Sequence, residues 1–325
     1  MKRIYKSIFI MFLLLFVLFL ILTSSQSVID SIMLSFSIWK NNVFPTLFPF
    51  FVLSEILINY GFVELTSELF KPFMRLFKLK GACAFGFVMS LISGFPSSAK
   101  YVRELFIAGN INCIEASKLL IFTHFSNPLF VLGTISVLFL KNKKVGLLIL
   151  ATHYIGNIFV GLIFRNFGNC ECDKEKISLK QALINMHKKR ISNNKSFGEI
   201  ISGALLNAID TLLLIFGVVT LFLIITTILD NNINLSSYYQ SILNGIVEMT
   251  QGLKYVSILD IPLKIKGTLS VLIISFGGVS VHMQVISILS DTKIKYFPFL
   301  VARIIHALVS TLMFYFLFDL WIQFI

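Results

Sequence analysis

Apolar residues run along this chain in long unbroken blocks divided by short polar stretches, a pattern of buried or lipid-facing helices rather than alternating strands. The first block, Ile8 to Leu22, follows Met1-Lys2-Arg3-Ile4-Tyr5-Lys6. A basic start ahead of an apolar core also marks signal peptides. Here Thr23-Ser24-Ser25-Gln26-Ser27 makes a poor cleavage site, so an uncleaved first helix with a cytoplasmic N-terminus is expected. Further blocks cover Val43 to Tyr60, Ala82 to Ala108, Ala116 to Leu140, Val145 to Phe164, Ile200 to Leu229, Thr268 to Leu289 and Phe297 to Ile325. Between them, Gly61 to Lys80 carries Lys71, Arg75, Lys78 and Lys80, as expected of an amphipathic helix lying in the interface. Asn231 to Lys266 is intermediate in polarity and is expected to dip into the membrane without crossing.

Only helices and closed barrels satisfy their backbone inside lipid, and these blocks are too long and continuous for barrel strands. A spanning helix takes about 20 residues, so the chain has room for roughly eight to ten membrane segments. Composition agrees: hydrophobic residues make up 56% and charged ones 14% of 325 residues, against roughly 25% charged in soluble proteins. The formal charge of +12 falls mostly between blocks, where loops and anionic lipid account for it without nucleic acid.

Several blocks are interrupted. Ser93-Gly94-Phe95-Pro96-Ser97-Ser98 breaks one, Asn127-Pro128 another and Gly277-Gly278 a third. Lys78-Leu79-Lys80-Gly81 precedes the break at Ser93-Gly94-Phe95-Pro96, and Lys264-Ile265-Lys266-Gly267 precedes the break at Gly277-Gly278-Val279-Ser280. The distances from glycine to break are similar, 81 to 94 and 267 to 278, and the two copies fall on either side of a polar stretch. This pairing predicts an all-α, polytopic helical membrane protein of two related, inverted halves with broken or re-entrant helices. The boundaries read as an anchor and connector over 1–40, a first half over 41–165, a basic linker over 166–198 and a second half over 199–325. The linker holds Lys174, Lys176, Lys180, Lys188, Lys189, Arg190 and Lys195 and is read as cytoplasmic. Lys141, Lys143 and Lys144 form a second basic loop. If Val145 to Phe164 crosses once, that loop and the linker cannot share a side.

A broken helix in lipid frees N–H and C=O groups that need a partner or water. Breaks therefore belong at a packing kink or at a wet cavity, and two matched breaks favour the cavity. Gly94, Pro96, Asn127, Glu248, Thr250, Gly278, Ser280, His282 and Gln284 are the candidates to line or shape a substrate-binding site. The glycines and proline would set the breaks, the amides, Ser280 and His282 would supply hydrogen bonds, and Glu248 the charge. Glu55, His153, Asn157, Asn207 and Arg303 are secondary candidates, because polar groups inside apolar runs are costly unless used. His124 shares a face with Asn127, Asn207 with Asp210 and Arg303 with His306.

Chemistry is otherwise sparse. Cys170 and Cys172 form a lone C-x-C, a weak zinc reading even with His187, and no metal or cofactor is expected. No H-E-x-x-H, G-x-S-x-G or Walker loop is present, so no enzyme is expected.

Several motifs in order carry a family likeness. They are Phe44-Pro45-Thr46-Leu47-Phe48-Pro49-Phe50-Phe51 with Ser54-Glu55, Ser93-Gly94-Phe95-Pro96 with Ala99-Lys100, Ser126-Asn127-Pro128-Leu129-Phe130 and His153-Tyr154-Ile155-Gly156-Asn157. In the second half they are Glu248-Met249-Thr250-Gln251-Gly252, Gly278-Val279-Ser280-Val281-His282-Met283-Gln284-Val285 and Ala302-Arg303-Ile304-Ile305-His306-Ala307. Over about nine tenths of its length the chain resembles the YlbJ-type sporulation integral membrane proteins of endospore-forming bacteria. These carry a nucleoside recognition, or Gate, domain that is itself distantly similar to part of the concentrative nucleoside transporter fold. Ser98 stands where that pattern has glycine, and His124-Phe125 replaces a more polar pair. The resemblance implies a role in building the spore envelope or cortex, in the cell membrane of the sporulating cell. The partners expected are the lipid bilayer, a small polar solute that is bound or transported, and spore-envelope proteins. The alternative expectation is a scaffold that recruits envelope-building enzymes.

Overall fold

Proline and glycine set the course of the N-terminal region. Helix α1 (Lys2–Thr23) meets α2 (Ser25–Ile38) in a 93° bend. A π-helical turn, Trp39–Val43, leads without a gap from α2 into α3 (Phe44–Asn59), which carries Pro45 near its start and Pro49 within it. Gly61, at φ +83°, turns the chain through 91° into α4 (Phe62–Leu76), the amphipathic helix expected from the sequence. The computed structural model describes residues 2–168, 170 and 178–324. Cys172, and with it the zinc reading, lies outside them.

Next come α5 (Cys83–Ser93) and α6 (Ser97–Ile107), a hairpin whose tip is Gly94-Phe95-Pro96. Helix α7 (Cys113–Phe122) ends in irregular backbone through Asn127 and Pro128, and a π-helical segment, Phe130–Phe139, continues its course. Helix α8 (Lys143–Ile163) returns. The linker supplies α9 (Leu179–Ser192), packed along α4. Helix α10 (Phe197–Asn232) opens the second half. A second hairpin, α11 (Ser237–Val247) and α12 (Met249–Ile258), has Glu248 at its tip. The broken pair α13 (Leu263–Phe276) and α14 (Gly278–Ile288) and the closing helix α15 (Phe297–Phe324) follow.

Among the described residues, four helical stretches are long and apolar enough to cross a membrane, up to six if each bent pair is one span. That is fewer than the eight to ten segments expected. Helices such as α5, with 11 residues, reach only about 16 Å, against a hydrocarbon core of about 30 Å. None of that length spans alone.

Polar contacts define two ends of the bundle. At the linker end, Lys118 Nζ donates to the carbonyls of Lys78 (3.2 Å) and Arg165 (2.6 Å), Lys80 pairs with Glu115 (3.2 Å), and Lys295 N donates to Ser117 Oγ (2.9 Å). At the opposite end, Trp321 Nε1 donates to the Lys144 carbonyl (2.9 Å) and Lys264 pairs with Asp319 (2.6 Å). Helix α8 joins the two, so Lys141–Lys144 and the linker lie at opposite ends.

The same contacts correct the pairing of the repeats. The α5–α6 hairpin enters from the linker end, whereas the α11–α12 hairpin enters from the opposite end, where Lys266 Nζ donates to the Ser257 carbonyl (2.9 Å). These two hairpins are the matching elements. The broken path of α7 and 130–139 matches α13–α14, and α8 matches α15. The Lys-x-Lys-Gly similarity had set the first hairpin against the second broken helix, one element out of register. The cause is simple: a lysine pair and a glycine mark any helix start at an interface, whichever element follows.

Lipid gives little drive for helices to associate, so polar contacts and close packing hold them. Ser31–Thr227 and Ser35–Thr220 hydroxyl pairs, each 2.6 Å, tie α2 to α10, at ~0.6 kcal/mol apiece. In the first half, Phe77 stacks on Phe122 with ring centres 4.3 Å apart, inside a core shared by α4, α5, α7 and α8.

Candidate functional site

Each hairpin tip is seated on the break in its own half. Gly94 has φ +76°, and a Cβ there would lie 2.3 Å from Asn127 N, so only glycine lets the first tip approach. Two bonds lock this seat: Phe95 N donates to the Phe125 carbonyl (2.6 Å) and Asn127 Nδ2 to the Ser93 carbonyl (3.1 Å). In the second half Gly278 lies against the tip at Gly245 and Met249, and the buried Ser280 hydroxyl of the break has no hydrogen-bond partner. Glu248 caps α12, its Oε2 accepting from Gln251 N at 2.8 Å. In the first half the loose ends that a break would leave in lipid are thus met by the neighbouring tip.

The two breaks then meet each other. His153 Nε2 accepts from Ser126 N (2.9 Å), which fixes the tautomer and makes Nδ1 the donor to Ser275 Oγ (3.0 Å). Ser126 belongs to the first break and Ser275 to the last turn before the second. His124, 1% exposed, stacks on Phe95 with ring centres 4.4 Å apart, and its Nε2 faces the turn at Gly277, whose φ is +91°. Both His124 ring nitrogens are buried without a hydrogen-bond partner.

Behind the breaks lies a buried polar core. Arg303, 0% exposed, donates to Asn157 Oδ1 (2.8 Å), His306 Nδ1 (2.9 Å) and the Ile121 carbonyl. His306 Nε2 donates in turn to the His153 carbonyl (2.8 Å), and Asn157 Nδ2 to that of Phe122 (2.9 Å). These partners of the guanidinium are neutral acceptors.

In front of the breaks is a cavity of about 390 Å³. The tips contribute Pro96, Glu248 and Thr250, the breaks Ser126 and Asn127, and α14 Gln284. Ile215 and Val219 of α10 and Leu47 of α3 supply an apolar wall. A mostly apolar hollow with a few convergent polar groups is the usual form of a small-molecule site.

Of the residues singled out in the sequence, Pro96, Asn127, Glu248, Thr250 and Gln284 therefore reach the cavity wall. Gly94 shapes the first tip, and Gly278 and Ser280 the second break, behind it. His282 turns aside: its Nε2 donates to the Phe276 carbonyl (3.1 Å) and its Nδ1 accepts from Tyr296 Oη (2.8 Å). His153, Asn157 and Arg303 build the buried polar core. Glu55 and Asn207 are elsewhere, on α3 and on an exposed face of α10.

Sequence reasoning passed over Ser275, Tyr296, Asp230 and Glu104. Asp230 accepts from Asn244 Nδ2 (3.1 Å), Tyr255 Oη (2.9 Å) and Gln240, pinning the second hairpin to α10. An acidic residue in the last turn of a helix opposes the helix dipole, and that was the available signal.

Residues 41–142 match the Gate family model, described as nucleoside recognition. This stretch runs from the approach to α3 through the first tip and the first break. Over 317 residues the chain is 34% identical to the Sporulation integral membrane protein YlbJ of Bacillus subtilis (strain 168), covering 90% of this chain and 78% of that relative. No solved structure matches.

Proposed function

The chain belongs to the YlbJ family of sporulation integral membrane proteins, and from that membership we propose that it binds and moves a small polar solute across the cell membrane of the sporulating cell while the spore envelope or cortex is built. The role is non-catalytic. One observation carries it: two oppositely entering hairpin tips and two breaks converge on a single cavity edged by Asn127, Glu248, Thr250 and Gln284. Inverted halves of this kind can expose a shared site to either side by rocking one unit against the other.

The orientation belongs to the same proposal. The linker end gathers Lys78, Lys80, Lys118, Arg165, Lys293 and Lys295 around the basic linker. By the positive-inside rule that end faces the cytoplasm. Helix α2 runs away from the opposite end, with Ser31 beside Thr227 and Trp39 beside Leu212.

The test is a thermal-shift screen of the purified protein against nucleosides, peptidoglycan precursors, amino acids and metal ions. One class is expected to stabilise the native protein, and Glu248→Gln and Gln284→Ala are expected to weaken that shift by tenfold or more in apparent affinity. The same variants, at normal membrane abundance, are expected to impair sporulation. No stabilising ligand, with a stoichiometric partner protein co-purifying instead, would favour the scaffold reading.

A further inference from the structure

Helices α6 and α14, one from each half, leave the cavity packed against each other and run to the linker end. Pro96 marks the cavity at the head of the first and Gln284 on the second. Seven residues on from each stand Arg103 and Asp291, two helical turns or about 10 Å away. Arg103 Nε donates to Asp291 Oδ1 (2.9 Å) and its Nη2 to Oδ2, a bidentate pair. Two further bonds join the first half to the connection 289–296 at this end. Cys113 Sγ donates to the Lys293 carbonyl (2.9 Å), and Lys295 N to Ser117 Oγ (2.9 Å).

Between the cavity and these polar ties the packing is apolar. Val102 and Leu105 of α6, Val285 and Ile288 of α14 and Phe299 of α15 belong to one buried cluster. A packed apolar constriction of this kind keeps water and polar solutes out. On its other side the cavity continues. Its wall follows the π-helical segment through Phe130, Thr134 and Leu138, which is three residues short of Lys141 at the opposite end. The hollow therefore extends toward the opposite end and is stopped by α6 and α14 on the linker side. A site that is reached from both faces of a membrane needs the stopped side to open. Apolar side chains part without breaking a directional bond, whereas the Arg103–Asp291 pair holds α6 to the end of α14 in one geometry.

We propose that α6 and α14, with the Arg103–Asp291 pair above them, form the linker-side gate of the cavity, closed in this structure. This rests on the reading of the cavity as a solute site. Opening parts α6 from α14, exchanges the ion pair for water on both charges and lets the linker side reach Pro96 and Gln284; no covalent bond changes. The pair is partly exposed, so water compensates most of its loss and the gate is able to open. The connection 289–296 is also tied inward. Tyr296 Oη donates to His282 Nδ1 (2.8 Å), and His282 Nε2 to the Phe276 carbonyl at the second break (3.1 Å). Movement of the connection is thereby passed to that break.

The experiment measures entry from each side and needs no knowledge of the solute. The full-length protein carrying Thr134→Cys, on the cavity wall, is treated with a membrane-impermeant methanethiosulfonate in sealed membrane vesicles of either orientation. Lys188→Cys, on the exposed face of α9, marks the linker side, and modification is read residue by residue by peptide mass spectrometry. The thiol at 134 is expected to react readily from the opposite side and slowly from the linker side. Adding Arg103→Ala or Asp291→Asn is expected to raise the linker-side rate about two- to fivefold, the worth of a partly exposed pair. The charge swap, Arg103→Asp with Asp291→Arg, is expected to bring it back down. An unchanged linker-side rate in both single variants, with reaction from the opposite side retained, overturns the gate and leaves the cavity reading standing. So does ready linker-side entry before the pair is altered. No reaction from either side overturns the cavity reading, and the gate with it.

Discussion

His153 spans the join between the two breaks, and its removal is a sharp test of that architecture. Replacing it with leucine, of similar volume, takes away the acceptor of Ser126 N and the donor to Ser275 Oγ. The Ser126 N–H is then buried without a partner, at a cost of about 1–3 kcal/mol, while the lost bond to Ser275 is worth about 1 kcal/mol. The serine can turn back to its own helix, so the total is about 2–4 kcal/mol. Ser275→Ala breaks only the second bond and leaves Nδ1–H unpaired, at about 1–2 kcal/mol. The two effects overlap, so the double variant should cost no more than His153→Leu alone. Unfolding in nanodiscs, followed by the fluorescence of Trp39 and Trp321, measures all three. Strictly additive losses, or a loss below about 1 kcal/mol for His153→Leu, would refute the claim that this imidazole joins the breaks.

Two further outcomes follow from the geometry. Gly94→Ala meets both a left-handed backbone and a Cβ position 2.3 Å from Asn127 N, and should cost about 2–4 kcal/mol in the same assay. Gly109→Ala, with φ +72° but open space around it, should cost only about 1 kcal/mol; equal losses would contradict the close seating of the first tip. The Arg103 guanidinium holds the Asp291 carboxyl below its usual 3.8. The ion pair's contribution is therefore complete above that value and fades as pH falls through the lowered folded value. Protection of the 289–293 loop from hydrogen exchange, taken relative to the intrinsic rate at each pH, should be high at neutral pH and fall in strong acid, and Asp291→Asn should remove that difference.

The apolar blocks, the interfacial helix and the breaks could be read from residue pattern, because lipid imposes a blunt rule on which side chains it accepts. Pro96, Asn127, Glu248, Thr250 and Gln284 could be picked out for the same reason. What the pattern could not convey is direction. A re-entrant hairpin and a broken span are both an apolar run with a glycine in the middle, so the first hairpin was paired with α13–α14 instead of α11–α12. Nor does residue type reveal which way a ring faces. His282 has the same chemistry as His153, but Tyr296 and the Phe276 carbonyl claim its two nitrogens.

Helix α10 has 36 residues, about 54 Å of rod, and exposed Asn207 and Asp210 interrupt its outer surface. A bare carboxylate does not rest in hydrocarbon, whereas Thr211 to Leu229 is free of charge and is about 28 Å long, the thickness of the oily layer. That places a waterline at Asp210. The stem of α10, with α4, α9 and the base of the first hairpin, stands above it as a cap on the linker side, and the cavity beside Ile215 and Val219 sits just beneath.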